Sequence, residues 1–263
     1  SLVLGMGALY GALREVSTSV PRPQSPLSGR RNRARSPENT VAEIMECVER
    51  FGIRTFFFSD DCFTVDSKRC MRLCSLLSGL SVRINWSCEG RVDTVNPELL
   101  RLMRDAGCFG IQFGVESGSD HILKSIRKGI SRSQVMQAVK WAVDVGLRAV
   151  CSFQVGHPED TEETIRETIS FAAALRRESR DPSLVVTDFA VATPLPGTVL
   201  RRDAARLGLR IHTSDWDQYT FIDPVMDTRH LTADQISSYV AAVTTRARDK
   251  KGGEQAEHSG SDC

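Results

Sequence analysis

Residues 109–115 read FGIQFGV, residues 135–145 read VMQAVKWAVDV and residues 147–155 read LRAVCSFQV. The first and last are short runs of β-branched and aromatic residues, whereas the middle one places apolar residues at helical spacing. Ser131 with Gln134 supplies a helix start before the middle stretch, and Gly146 supplies a stop after it. A strand, a helical crossover and a second strand form a βα unit, and such units build parallel sheets.

The pattern repeats outward in both directions. Ile53–Phe58 and Val82–Cys88 precede as strand candidates and Leu184–Val191 follows. Between them, Ser36-Pro37-Glu38 opens a helix over Val41–Arg50, and Asn96-Pro97-Glu98 opens one over Leu99–Ala106. A later helix covers Thr161–Leu175, and Thr232-x-x-Gln235 is a capping-box start for a last helix through about Arg248. Gly52, Gly79, Gly107, Gly146 and Gly208 stand where helices should stop, each expected in the left-handed conformation. Five units, with a sixth strand near Arg14–Ser17, predict an α/β fold, an incomplete (βα)6 barrel, with an open doubly wound sheet as the alternative. The division expected is an irregular N-terminal segment over 1–35, a barrel core over 36–210, a C-terminal extension with a helix over 211–248 and a disordered tail over 249–263. Cys263 and His258 in that tail have no expected structural role.

Composition narrows the function. Of 263 residues, 41% are hydrophobic and 25% charged, which suits a globular chain with ample core. Lys plus Arg total 34 and Asp plus Glu 33, so no broad field calls for nucleic acid or an anionic membrane. No run approaches the ~20 apolar residues of a membrane span, and the reading is of a cytoplasmic protein. Eight cysteines spread through apolar stretches fit reduced core thiols. The first residue, Ser1, suggests a piece of something longer. Neither a G-x-G-x-x-G after a strand nor a G-x-x-x-x-G-K-[ST] occurs, so dinucleotide and P-loop readings lack their phosphate loops.

Ligands of such folds meet the carboxyl ends of the strands. Those positions hold Ser59, Asp60 and Asp61, then Glu89 and Arg91, then Glu116 and Ser117, then His157 and Glu159, then Thr193. Adjacent carboxylates at 60 and 61 need a cation held near them, or else cap the next helix. Glu116 needs a donor: an amine, a pair of ribose hydroxyls or a neighbouring arginine such as Arg91. Gly110 and Gly114 lower the bulk before it so that another backbone or a ligand can approach. The turn Gly156–Thr161 leads into a helix whose first N–H groups can receive a polar group, with His157 read as a loop residue rather than a metal ligand. Pro194-Leu195-Pro196-Gly197-Thr198 is a rigid turn over the barrel mouth. Arg30, Arg31, Arg33 and Arg35 are read as solvated or paired with glutamates of the next helix. A cluster-free metabolic barrel would need a reactive lysine or a His/Glu pair at strand ends, whereas Lys124, Lys128 and Lys140 are all expected on helices.

Six motifs in register then carry a resemblance: Ala34-Arg35-Ser36-Pro37-Glu38, Phe58-Ser59-Asp60-Asp61-x-Phe63-Thr64, Gly90-Arg91-Val92-Asp93, Phe113-Gly114-Val115-Glu116-Ser117-Gly118-Ser119, Gly156-x-Pro158-x-x-Thr161-x-Glu163-Thr164 and Pro194-x-Pro196-Gly197-Thr198. Over about Ser28–Leu207 the chain resembles the radical SAM superfamily, in the branch whose members often carry an N-terminal cobalamin-binding domain. The resemblance implies S-adenosylmethionine across the strand ends, chelated to a [4Fe–4S] cluster that cleaves it to a 5′-deoxyadenosyl radical. It also implies a small-molecule or peptide-derived substrate, an electron donor such as flavodoxin or ferredoxin, and cobalamin through a preceding domain. By the same resemblance Ser59, Asp60 and Asp61 face the methionine amine, Glu116 contacts the ribose, Arg91 and Gly156 line the cavity and Pro194 begins the turn beside the adenine.

The family holds its cluster with C-x-x-x-C-x-x-C, because three thiolates leave one iron open. By register the motif belongs within Val16–Leu27, a stretch without cysteine, and it occurs nowhere else in the chain. Cys62, Cys70 and Cys74 have the wrong spacing, and Cys70 and Cys74 share one helix face that reads as buried. Two readings follow: a radical SAM enzyme by descent whose present copy is damaged, or a non-catalytic barrel that binds S-adenosylmethionine without iron.

Overall fold

The computed structural model describes residues 14–15, 34–60 and 62–243. In chain order the elements are β1 (Arg14–Glu15), α1 (Pro37–Phe51), β2 (Thr55–Phe58), α2 (Ser67–Ser78), β3 (Asn85–Gly90), α3 (Pro97–Asp105), β4 (Cys108–Glu116), α4 (Asp120–Ser125), α5 (Arg132–Asp144), β5 (Arg148–Val155), α6 (Glu162–Arg177), β6 (Val185–Val191), α7 (Val199–Arg202), β7 (Arg210–Ile211) and β8 (Met226–Asp227). A final helix, α8, covers 233–243 of the described chain. The expected cluster loop at Val16–Leu27, Asp61, Arg30, Arg31, Arg33, the continuation of α8 toward Arg248 and the tail with His258 and Cys263 lie outside the described residues.

The sheet order β1-β2-β3-β4-β5-β6 decides between the two architectures. An open doubly wound sheet reverses its strand order at a switch point; this one never does. Strict succession with parallel ladders from β1 through β4 and helical crossovers is the winding of a βα barrel, and six strands leave it incomplete.

Start and stop residues act largely as the sequence predicts. Ser36, Asn96 and Ser131 each accept a backbone N–H at the start of α1, α3 and α5, with Pro37 and Pro97 in first position. Thr232 and Gln235 exchange both bonds of a capping box at α8, at 2.9 and 3.3 Å. Gly52, Gly107, Gly146 and Gly208 have φ between +68° and +92°. Gly79 does not: its φ is −83°, and it ends α2 in ordinary right-handed geometry. The expected strand at 184–191 begins at Val185 because Pro182–Leu184 closes into a single 3-10 turn. Short α4 and the antiparallel β7–β8 pair carry too few residues to show a period, which leaves them illegible in the sequence.

The chain divides into two compact units. One comprises Ser1–Val115, Ile130–Cys151 and Ala174–Thr187; the other comprises Glu116–Gly129, Ser152–Ala173 and Asp188–Cys263. In the first, Phe56, Phe58, Trp86, Cys88, Phe113, Ala149 and Cys151 are buried, while the alternating Ser87, Glu89, Gln112 and Val150 are only half-buried; Phe57, in register with Ser87, is buried. The buried set packs on helices, with Phe58, Phe63 and Trp86 rings 4.8–5.3 Å apart and the indole N–H of Trp86 donating to the Ala106 carbonyl at 2.8 Å. In the second unit Phe153, Val155 and Val191 are buried and Ser152, Gln154 and Asp188 half-buried. A sheet of parallel strands covered on both faces reads as continuous hydrophobics, so a polar, half-buried face marks a side kept for a ligand.

Candidate functional site

In the first unit the candidates follow β2 and β3. Ser59 is half-buried and Asp60 wholly buried. Asp60 does not cap the next helix, because Asp66 does so, accepting the Arg69 N–H at 3.0 Å. The Thr64 and Thr94 hydroxyls, 2.6 Å apart, tie the turn after β2 to the turn after β3, and Thr94 also donates to the Arg91 carbonyl at 2.9 Å. Gly90 sits at this seam, where a Cβ would come within 2.9 Å of the Ile111 side chain and 3.0 Å of the Thr64 hydroxyl. Arg91 forms a bidentate pair with Asp93, at 2.9 and 2.7 Å, which holds the guanidinium in one orientation. Arg35 reaches back to Asn39 at 2.7 Å and pairs with Glu43 of α1, as expected of that basic stretch.

The second unit gathers the rest. Glu116 ends β4 with φ +71°, a left-handed conformation unusual for a residue with a side chain. The turn after it is stapled to α6: the Ser117 hydroxyl lies 3.0 Å from that of Thr168, and the Gly118 N–H donates to the same Thr168 oxygen at 3.0 Å. The Glu116 carboxylate accepts from the Lys128 ammonium at 2.6 Å, with side chains 14% and 5% exposed. Lys128 is therefore not on a helix. Short α4 ends in a left-handed Arg127, φ +54°, with Lys128 N–H bonded to the Leu123 carbonyl and Arg127 N–H to that of Lys124. That is the double bond of a Schellman ending, with arginine where glycine is usual. The absence of a glycine hid the stop, so sequence reasoning missed the lysine that the turn releases.

Beyond β5, Gly156 has φ +84°, and its missing Cβ leaves room for Ile236 of α8 at 3.3 Å. Asp160 is buried with both oxygens engaged, Oδ2 by the His157 N–H at 2.9 Å and Oδ1 by the Thr164 hydroxyl at 2.8 Å. Pro194 is buried, and the turn it begins closes with Gly197 at φ +79° and the Thr198 N–H on the Leu195 carbonyl at 3.1 Å. Asp188 is the second residue missed, although a carboxylate inside Val185–Val191 was the signal. Burial raises its carboxyl above the ordinary aspartate value, opposed by a hydrogen bond from Ser152. Burial likewise depresses the His157 imidazole, against the pull of the Asp160 and Glu116 carboxylates, with Lys128 adding to the depression. His157 is thus neutral in the folded chain at neutral pH.

The Asp188 shift sets a pH dependence. A raised native pKa means that the folded state binds the proton more tightly than the unfolded one, so stability falls as pH rises through the ordinary 3.8 toward the native value and stays low at pH 7. Asp188→Asn removes that loss. The variant is expected to unfold at higher urea than the parent at pH 7, with the gap closing as pH is lowered toward 3.8; a gap independent of pH would contradict the assignment.

The iron–sulfur cluster that the resemblance brings does not fit the thiols described. Cys70, Cys74, Cys88 and Cys108 are buried, and burial with neighbouring thiols pushes Cys70 and Cys88 up, away from the thiolate that iron binds. Among the described residues no three His, Cys, Asp or Glu side chains stand close enough to hold a metal ion. An adenosyl ligand fits better: a carboxylate, an ammonium and two buried polar atoms without partners, His157 Nε2 and Asp188 Oδ1, all lie in the second unit. No helix among the described residues is long and apolar enough to cross a membrane.

Comparison with known proteins matches residues 20–172, more than half of the chain, to the model of the Radical SAM superfamily. An uncharacterized methyltransferase of Pyrococcus horikoshii is 37% identical over 209 residues, covering 80% of this chain and 44% of that protein. An anaerobic magnesium-protoporphyrin IX monomethyl ester cyclase of Rubrivivax gelatinosus is 27% identical over 196 residues, 74% of this chain and 34% of that one. The chain spans less than half the length of these relatives. Among solved structures, the radical S-adenosylmethionine methyltransferase TsrM of Kitasatospora setae, with cobalamin and a [4Fe–4S] cluster bound, superposes with a TM-score of 0.66 at 18% identity, covering 86% of this chain and 43% of that one. The sequential parallel sheet, the polar strand ends and the matched model agree, and the chain belongs to the radical SAM superfamily.

Proposed function

We propose that this chain is the S-adenosylmethionine-binding barrel of a methyltransferase-type radical SAM protein acting on a small-molecule or peptide-derived substrate. The observation that carries the reading is the buried Glu116–Lys128 pair at the end of β4, in the same unit as two buried polar atoms that lack partners, His157 Nε2 and Asp188 Oδ1. S-adenosylmethionine supplies an activated sulfonium whose weakened carbon–sulfur bonds serve the family's chemistry. That the Glu116 carboxylate is held by its left-handed backbone and by Lys128 supports a role as acceptor for ribose hydroxyls. Lys128 holds that carboxylate oriented. The Gly156 turn and the Pro194 turn give rigid backbone on which the nucleoside can rest, because each is closed by its own hydrogen bonds. Ser59, Asp60, Asp61 and Arg91 are carried, by resemblance, as contacts to the methionine end.

Cobalamin and an electron donor such as flavodoxin or ferredoxin enter by the same resemblance, with none of the described side chains placed against them. The cysteine arrangement favours a second reading, in which the barrel binds S-adenosylmethionine without iron. Calorimetric titration of the chain, prepared without iron, with S-adenosylmethionine tests the common ground: saturable one-to-one binding is expected, weakened about tenfold or more by Glu116→Ala, as for loss of a charged hydrogen bond of roughly 1.5–3 kcal/mol. Absence of binding by the parent chain would remove both readings. Anaerobic treatment with iron and sulfide separates them, since visible thiolate-to-iron absorption and 5′-deoxyadenosine favour the enzyme, and cofactor binding without either favours the module.

A further inference from the structure

The neighbouring strands β5 and β6 divide their side chains by parity into two chemistries. Val155 and Val191 are buried against Ile165 of α6 and Ile236 of α8, and Phe153 stacks on Phe189 with ring centroids 5.3 Å apart. Successive side chains of a strand point to opposite faces, so Ser152, Gln154 and Asp188 turn away from both helices. All three residues are half-buried, yet Asp188 Oδ1 is itself out of solvent and makes no hydrogen bond. A hydrogen bond from Ser152 reaches the same carboxylate and holds it in place. Aspartate is depleted in strands, and a native fold seldom leaves a buried polar atom unanswered unless something outside the chain completes it.

Depth separates this carboxylate from the contacts assigned above to the cofactor. Asp188 stands three residues before the end of β6 and Ser152 three before the end of β5, about 10 Å down each strand at ~3.3 Å per residue. The turns on which the nucleoside rests in that reading, at Gly156 and Pro194, begin beyond those ends. Charge then selects the group that Asp188 takes. Glu116 acts on it with like charge, and the Lys128 ammonium is held by Glu116 at 2.6 Å. An anion would add to the negative charge of the two carboxylates. An uncharged donor would satisfy Oδ1 but leave the charge of Asp188 without a counterpart. A protonated amine supplies the donor and the counter-charge together, as a buried charge requires.

Resting on the reading of this barrel as an S-adenosylmethionine protein, we propose that Asp188 is a substrate-recognition residue whose carboxylate, held by Ser152, receives a protonated amine of the substrate on the face of β5 and β6 turned from α6 and α8. The substrate class is thus a cationic amine, carried by a small molecule or by a peptide. The contact selects and orients the substrate, and no bond forms or breaks at Asp188. It also gives the strand aspartate a reason to be there: Asp188→Asn, expected above to gain stability at pH 7, is expected to lose the amine.

The test uses the chain prepared without iron and three probes of one shape: propylammonium, 1-propanol and propionate. The side-chain carboxyl carbon resonance of Asp188, assigned by its loss in Asp188→Asn, is expected to shift saturably with propylammonium. Affinities are taken from the backbone amide shifts of β5 and β6, and the amine is expected to bind about tenfold or more tighter than the alcohol, with propionate weaker still. Asp188→Asn is expected to lose about tenfold or more of the amine affinity while unfolding at no lower urea than the parent at pH 7. Saturating S-adenosylmethionine is expected to leave amine binding within about threefold, as for independent sites. An unmoved Asp188 resonance, equal affinities for amine and alcohol, or equal amine affinities in parent and variant would overturn the proposal. So would displacement of the amine by S-adenosylmethionine, which would give Asp188 to the cofactor. Calorimetry with S-adenosylmethionine reads the cofactor separately: a parent chain that takes the amine at Asp188 but not S-adenosylmethionine would remove the cofactor reading and leave the amine site standing.

Discussion

Lys128→Met is expected to destabilise the fold by about 3–5 kcal/mol, the usual cost of leaving one member of a buried ion pair without the other. The lysine side chain is 5% exposed and its partner carboxylate 14%, so water can compensate little. The same substitution is expected to lower affinity for S-adenosylmethionine, because Glu116 loses the cation that holds it in place. A second change separates charge from packing. Glu116→Leu made together with Lys128→Met replaces the pair by apolar groups, and a buried pair replaced in this way is often neutral or better. Much of the stability is therefore expected to return in the double variant while cofactor binding does not. Denaturant midpoints and calorimetry read the two effects independently. A single variant as stable as the parent would mean that the pair is open to solvent.

Gly118→Ala is expected to cost about 3 kcal/mol, at the upper end for overpacking, because the new methyl has nowhere to go. A Cβ at this position would lie 2.7 Å from the Thr168 Cα, 2.7 Å from the Phe171 Cβ and 3.2 Å from the Glu167 carbonyl, so it meets the backbone of α6 rather than a side chain that can swing aside. The glycine of the Gly114–Ser119 motif is thus there for packing: it lets α6 approach until Thr168 can bond both Ser117 and Gly118. Gly79 provides the contrast. With φ −83° and nothing nearer than 3.5 Å to an added Cβ, Gly79→Ala is expected to change stability by less than about 0.5 kcal/mol, as surface substitutions usually do. Urea unfolding of the two variants decides it; equal midpoints would contradict the packing account.

These cases show how far the sequence could be read. The strand–helix alternation, the proline and serine helix starts and most glycine stops were legible because each is a local rule that the fold obeys. The carboxyl-terminal positions of the strands were legible too, since parallel architecture decides where a ligand goes before any contact is known. What stayed hidden depended on exceptions. Arg127 occupies a left-handed position normally given to glycine, so Lys128 read as helical when it is the partner of Glu116. The bidentate Arg91–Asp93 pair and the Thr64–Thr94 tie join residues across turns whose geometry no periodicity reveals. Asp188 was visible as a carboxylate inside an apolar strand, but its meaning comes only with the face it occupies. His157 read as a loop residue because its backbone duty is legible and its partnerless nitrogen is not.

Amide hydrogen exchange of the chain with and without S-adenosylmethionine measures the central claim most directly. The account requires slowed exchange at the amides of residues 114–118 and 156–160, where Glu116 and the Gly156 turn would be pinned by the nucleoside. Protection absent from both segments under saturating S-adenosylmethionine would contradict it.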